Sequence, residues 1–334
     1  MKKDNIESEP KIGIVSKFQP LFILLAASVG VLLGLNSLIA ANSAQWIEVF
    51  LMIMLFFVFM SVDMREIKRS FSNVKFSAAA LIINFIWTPV FAYLLGRLFL
   101  AGSTDLQIGF LMLMVTPCTD WYLIFTGLAK GNVPLGSSIL PLNLILQVLL
   151  LPLYLLIFTG NTVSFAPLQM IHSIVLVLVV PLLVANAVKF TVSKVKSADF
   201  RANFESTLDK HGDNIQLFLL CLAIIAMFAS QGESLLENPM LFVRLFPPLI
   251  VFFAIAFILA LVVGKRLGLP FKDRISLLFT TSARNSPISL TIAVLAFPER
   301  SLILLALVIG PLIELPVLAI DASILKKITP KEQR

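Results

Sequence analysis

The sequence predicts an all-α integral membrane protein of ten transmembrane helices, divided into two inverted five-helix repeats. Three observations carry that reading. The 334 residues are 58% hydrophobic and only 13% charged, with a mean hydropathy of +0.96, far too apolar for a soluble domain. Of the 26 lysines and arginines, 22 fall on one face of a ten-span arrangement. Two apolar segments, finally, are interrupted at mid-depth by proline together with polar or charged residues: Thr116-Pro117-Cys118-Thr119-Asp120 and Ser282-Ala283-Arg284-Asn285-Ser286-Pro287.

Runs of about 20 apolar residues, each long enough to cross a roughly 30 Å hydrocarbon core as a helix, recur along the chain. They predict spans over about 20–40, 46–62, 76–100, 106–128, 133–159, 168–188, 214–231, 241–264, 275–297 and 301–325. The first is read as a retained helix: Ala40-Ala41-Asn42-Ser43-Ala44 resembles a signal-peptide cleavage site, but the apolar stretch before it exceeds the usual h-region. The longest polar connection, about 189–213, has room for a small cytoplasmic helix. Short tails, 1–19 and 326–334, flank two repeats, 20–160 and 168–325.

Orientation follows from the basic residues. The N-terminal tail holds Lys2, Lys3, Lys11 and Lys17, and the second connection Arg65, Lys68, Arg69 and Lys75. Lys130 lies in the fourth connection, and Lys189, Lys194, Lys196, Arg201 and Lys210 in the sixth. Lys265, Arg266, Lys272 and Arg274 fill the eighth, and Lys326, Lys327, Lys331 and Arg334 the C-terminal end. The positive-inside rule places both termini in the cytoplasm of a cell-membrane protein. Topology accounts for the net charge of +7, so nucleic acid is not an expected partner; the lipid bilayer is. Cys118 and Cys221 sit in different spans, which argues against a disulfide framework.

An odd number of spans per half makes the two halves enter from opposite sides. Each half has a long span, a basic stop, then a span broken by proline: Pro117 lies 20 residues after Arg97, and Pro287 lies 21 after Arg266. Proline removes a backbone donor and clashes with the preceding turn. The groups freed at such a break can coordinate a solute, because lipid cannot satisfy them. Pro89, Pro141, Pro152, Pro181, Pro247 and Pro248 have no charge beside them and read as plain kinks. Asp120 and Arg284 make the other two breaks different, since a charge persists at that depth when it faces protein or water. Paired broken helices in two halves point to a transporter's binding site.

The chain has no His-Glu-x-x-His, no Gly-x-Ser-x-Gly and no cysteine–histidine cluster. An enzyme is therefore not expected, and no cofactor or bound metal is called for. His172 and His211 have no partner at metal-ligand spacing. Asp63, Glu48 and Asp321 lie towards span ends and read as structural, Asp321 snorkelling to the interface. Glu314, well inside an apolar span between Pro311 and Pro316, suits a group that binds and releases a proton during a cycle.

Pro117-Cys118-Thr119, Leu128-Ala129-Lys130-Gly131-Asn132 and Leu142-Asn143-Leu144-Ile145-Leu146-Gln147-Val148-Leu149 resemble the arsenite-efflux permeases, the metalloid branch of the bile acid/sodium symporter superfamily. Gly310-Pro311-Leu312-Ile313-Glu314-Leu315-Pro316-Val317 looks like that branch's Gly-x-Leu-x-Glu-x-Pro-Val element. The resemblance implies a core domain and a panel domain, with fourth and ninth spans that unwind and cross. It implies proton-coupled export of arsenite or antimonite, with Cys118 binding the metalloid and Glu314 coupling the proton. Asn285 matches the family's ninth-span asparagine. Thr119 and Asn143 are further candidates for substrate contact, and Asp120 for proton coupling.

Two departures qualify this. Where sodium-coupled members hold their ion ligands, this chain has Thr280, Arg284, Tyr122 and Leu123, so sodium coupling is not expected and Arg284 can take the ion's electrostatic place. Pro287 stands where the permeases carry a glutamate. Asp120 and Arg284 are expected to pair where the broken helices cross. The alternative function is a carrier of organic anions, whose carboxylate would meet Arg284 and the half-helix N-termini.

Overall fold

Helical segments follow one another along the whole of the computed structural model, which describes residues 19–61, 73–119, 122–159, 167–195, 197–237, 240–297 and 300–328. In chain order they are α1 (Gln19–Gly34), α2 (Ser37–Ser61), α3 (Val74–Ile82), a π-helical turn (Ile83–Trp87) and α4 (Thr88–Phe99). Then come α5 (Thr104–Met114), α6 (Tyr122–Leu128), α7 (Val133–Ser138), α8 (Leu140–Thr159) and α9 (Pro167–Lys194). The chain continues through α10 (Ala198–Glu237), α11 (Met240–Arg266), α12 (Phe271–Ser282), α13 (Ser286–Ala296) and α14 (Ser301–Ile328). Among the described residues there is no strand, only an isolated antiparallel bridge between Pro117 and Arg284.

Among the described residues, four stretches are long and apolar enough to cross a membrane unbroken: Val74–Phe99, Val133–Phe158, Val243–Arg266 and Ser301–Ile328. Two bent pairs, Ser37–Ser43 with Gln45–Phe57 and Ala198–Gly212 with Asn214–Ser230, raise the number to six. The 11-residue α5 and 7-residue α6, like the 12-residue α12 and 11-residue α13, are each too short to span alone. Large apolar side chains face outward, among them Leu98 at 72%, Leu32 at 67% and Leu149 at 65% exposure. A surface of that kind needs lipid to cover it.

Two local boundaries differ from the sequence expectation. The first two helices separate at Leu35-Asn36, where the Asn36 side chain accepts from the Leu38 amide at 3.0 Å and caps α2; near residue 43, the expected connection, α2 continues but bends by 45°. The polar stretch before residue 213 is continuous with the apolar segment as α10, which bends by 42° between Gly212 and Asn214 where the two meet. Residue-level polarity had suggested an independent element, yet no helix breaker interrupts it.

Glycine permits the closest helix contacts. A Cβ on Gly30 or Gly34 would lie 2.7 Å from the carbonyls of Ile225 and Ala229, so α1 presents a Gly-x-x-x-Gly face on which α10 lies directly. Gly109 of α5 likewise meets the Ile303 carbonyl and Ala306 of α14. One group of helices, α1, α2, α9 and α10, packs together, while α5, α11, α12 and α14 form another. α13 touches α2 and α9 on one side and α14 on the other. The buried polar residues concentrate beside α5, α12 and α13.

Candidate functional site

The two breaks form where the sequence places them, and they meet. α5 ends at Met114 and α12 at Ser282, each leaving carbonyls with no partner within its own helix. Beyond them the chain extends, and Pro117 lies opposite Arg284 in the antiparallel bridge. The Cys118 amide donates to Ala283 O at 2.9 Å, and the Asn285 amide donates to Thr116 O at 2.6 Å. These bonds flank the Pro117–Arg284 pair and do not involve it. A non-hydrogen-bonded pair is where a residue without an N–H fits a ladder at no cost. Proline both breaks the fourth span and is accommodated by the way the break is paired.

Arg284 is fully buried and, among the described residues, is the largest side chain with no exposure. Its guanidinium donates from Nε to Ser282 O at 2.9 Å and from Nη1 to Met114 O at 2.7 Å. Nη2 donates to Thr281 O and, at 3.4 Å, to Asn84 Oδ1. The Phe252 ring covers the group at 5.1 Å. A cation here lies at the C-termini of both α5 and α12, where orphaned carbonyls and helix dipoles favour positive charge. The backbone amide of Arg284 donates to Glu314 Oε1 at 2.8 Å, tying α14 to the crossing.

Asn285 completes the ninth-span break. Its Oδ1 accepts from Ile288 N at 3.2 Å, capping α13, and its Nδ2 donates to Thr119 Oγ1 at 2.9 Å. Pro287 does not kink a continuous helix; it sits in the first turn of α13, where its fixed φ is favourable. Thr116 Oγ1 lies 2.6 Å from Ser289 Oγ, which in turn donates to Met112 O at 2.9 Å. Ser286 Oγ donates to Leu307 O.

The fifth span joins through Asn143, whose Nδ2 donates to Thr280 Oγ1 at 3.3 Å. Asn84, in the π-helical turn of the third span, donates to Thr280 O at 3.1 Å and to Asn143 Oδ1 at 3.5 Å. The turn Leu128–Asn132 reverses with Lys130 at φ 61°, and Asn132 donates to Asp273 Oδ1 at 2.8 Å, anchoring the start of α12.

The structure thus brings together Pro117, Thr119, Arg284, Asn285 and Glu314, with Cys118 held by its amide and Asn143 one residue away through Asn84. Cys118 is entirely buried. Asp120, and so its expected pairing with Arg284, lies outside the described residues. Asp321 is 7% exposed rather than snorkelling, because α14 carries it inward ahead of Lys326 and Lys327. At the positions of the sodium ligands, Tyr122 is buried and donates its hydroxyl to Gly136 O at 2.7 Å. Sequence reasoning missed Asn84, Thr116, Ser289 and Phe252. A lone asparagine in the apolar run Leu81–Ile86 was the available signal for the first.

An apolar helical body with two broken spans knitted round a buried polar centre defines a membrane transporter. The chain belongs to the Sodium Bile acid symporter family, which it matches over residues 48–238, more than half its length. Members of that family are transporters and not enzymes. The chain is 24% identical to the arsenical-resistance protein Acr3 of Corynebacterium glutamicum, over 92% of this chain and 88% of that one. It is 22% identical to Acr3 of Alkaliphilus metalliredigens, over 95% and 94%. An uncharacterized transporter of Synechocystis is 23% identical over 96% and 91%. These relatives support the metalloid branch to which the motif resemblance pointed.

Proposed function

We propose that the protein is a secondary transporter that exports arsenite or antimonite by alternating access, coupled to proton uptake. In this reading ten spans form a 5+5 inverted repeat, 20–160 and 168–325, with core and panel domains. Both termini, 1–19 and 326–334, lie in the cytoplasm, and the protein resides in the cell membrane. Cys118, Asn285, Asn143 and Thr119 contact the solute, while Glu314 and Asp120 serve the proton.

The observation that carries the choice of solute is the state of Arg284. Its guanidinium already donates to four protein oxygens and is shut from solvent. A carboxylate substrate would have to displace those bonds, so the geometry weighs against the organic-anion alternative. It favours a solute that needs no counter-charge. Arsenite at neutral pH is a small neutral trihydroxide whose soft arsenic prefers a thiol to oxygen ligands, and Cys118 is bonded into the same crossing. A single thiol holds it reversibly. The arginine, set where two helix C-termini converge, supplies the positive charge that a bound sodium would bring, which supports transport without sodium.

Glu314 contacts the crossing through the Arg284 amide, a bond that a titrating carboxylate can tighten or release. Glu314→Gln keeps the acceptor but not the titration. In vesicles it should leave arsenite equilibration intact and abolish accumulation against a gradient when a pH difference is imposed. Accumulation at the wild-type level would remove Glu314 from the coupling.

The substrate is tested in cells lacking their own exporter. Wild type should restore growth on arsenite and antimonite, and Cys118→Ser should not. Wild type no better than empty vector, or Cys118→Ser equal to wild type, would overturn the reading.

A further inference from the structure

We propose that the seam between the third and fifth spans is a second, occluded binding site for a small neutral hydroxylated solute, with Gln147 as its recognition residue.

Gln147 lies on α8 with no exposure, and neither its Oε1 nor its Nε2 has a hydrogen-bond partner among the described residues. A primary amide offers two donors and two acceptor lone pairs. Leaving all of them unmade in a low-dielectric interior is costly, and an apolar residue would serve packing better. The side chain is therefore retained for something that binds it.

Its direction is fixed by its neighbours. Asn143, Gln147, Tyr154 and Phe158 fall at i, i+4, i+11 and i+15, one stripe of a helix. The other three all meet the third span: Asn143 meets Asn84 at 3.5 Å, the Tyr154 hydroxyl donates to Phe85 O at 2.7 Å, and the Phe158 ring lies 5.0 Å from that of Tyr93. Gln147 is bracketed between the first of these contacts and the others, so it faces the same seam. Across it, one turn beyond Asn84, Thr88 is fully buried and its Oγ1 also has no partner among the described residues. A π-helical turn, a common mark of functional sites, immediately precedes Thr88.

The unmade bonds are amide and hydroxyl, with no charge. They match a neutral solute carrying several O–H groups, each both donor and acceptor. The Asn84–Asn143 pair separates this seam from Arg284 and the helix crossing by one helical turn, which suits a waiting position next to the main site. The role within transport rests on the alternating-access reading, in which the spans part to admit the solute; the binding itself does not.

The purified protein in detergent tests it by thermal unfolding, with arsenous acid and with glycerol, a neutral triol without arsenic, as probes. Both should raise the melting temperature of wild type. Gln147→Leu should be more stable than wild type without probe, since it no longer buries an unmatched amide. It should also bind both probes about tenfold more weakly, and Thr88→Val should weaken them less. Cys118→Ser should lose part of the arsenous acid response and none of the glycerol response. The site is refuted if neither probe stabilises wild type, if Gln147→Leu responds as wild type does, or if it loses basal stability as a structural amide would. Absence of arsenite flux in wild-type vesicles, with the Gln147-dependent stabilisation intact, would instead defeat the transport assignment and leave the site standing.

Discussion

The two broken spans are alike in sequence order and unlike in chemistry. The ninth-span break brings the charged donor, the guanidinium of Arg284, together with the backbone amide and side chain of Asn285. The fourth-span break, without a charge, answers with the carbonyls of Met114 and Thr116 and the Thr119 hydroxyl, and donates in return from the Cys118 amide to Ala283 O and the Thr116 hydroxyl to Asn285 O. Each segment answers the unmet valence of the other, so neither is stable as a separate kink. The lesson is that a broken helix in a membrane is held by hydrogen bonds exchanged with a partner break. The charge at the centre is first a structural staple.

Removing the staple should have the largest effect. Arg284→Gln leaves carbonyls of Met114, Thr281 and Ser282 without their charged donor, and should destabilise the protein by about 3–5 kcal/mol in detergent unfolding. Arg284→Lys keeps the charge without the fork and should recover part of that loss. A change of under about 1 kcal/mol in Arg284→Gln would show that the breaks do not depend on one another.

Asn285→Ala comes next. It removes the cap of α13 and the bond to Thr119, for a loss of about 1–2 kcal/mol. Asn285→Ser, which can still cap, should restore more of this than Asn285→Gln, and that order distinguishes capping from the contact with Thr119.

The smallest effect is expected on the acceptor side. Thr116→Val deletes the hydroxyl that meets Ser289 but keeps the carbonyl that receives Asn285, and should cost about 1 kcal/mol. A loss as large as that of Arg284→Gln would reverse the comparison and make the fourth-span break the dominant partner.

Much of this architecture was legible in the chain. The breaks at Pro117 and Arg284–Pro287 fell where proline and charge interrupt apolar runs, because both signals are local and strong. The rest lay in pairings that no single segment contains. The expected pairing of Arg284 with Asp120 lies outside the described residues, but the other bonds of Arg284 were not foreseen. Its bonds to backbone carbonyls leave no trace in side-chain identity. Asn84 stood as one amide in an apolar run, and only the π-helical turn that aims it at Thr280 and Arg284 gives it a role. Pro117 shows the reverse: its identity was plain, but its fit depends on a bridge to a residue far along the chain. Near residue 43, where a connection was expected, the chain bends by 45° within α2 because the alanines there still favour helix, whereas Asn36 caps the helix from outside.

The proposal that the paired breaks are the metalloid site is tested most directly by the chemistry of Cys118 itself. In a Cys221→Ala background, the rate at which a small thiol reagent alkylates Cys118 is measured in membrane vesicles, with and without arsenite. The account predicts slow labelling of a buried thiol, slowed further by arsenite in proportion to its occupancy, with protection weakened in Asn285→Ala. A labelling rate that arsenite leaves unchanged would contradict it.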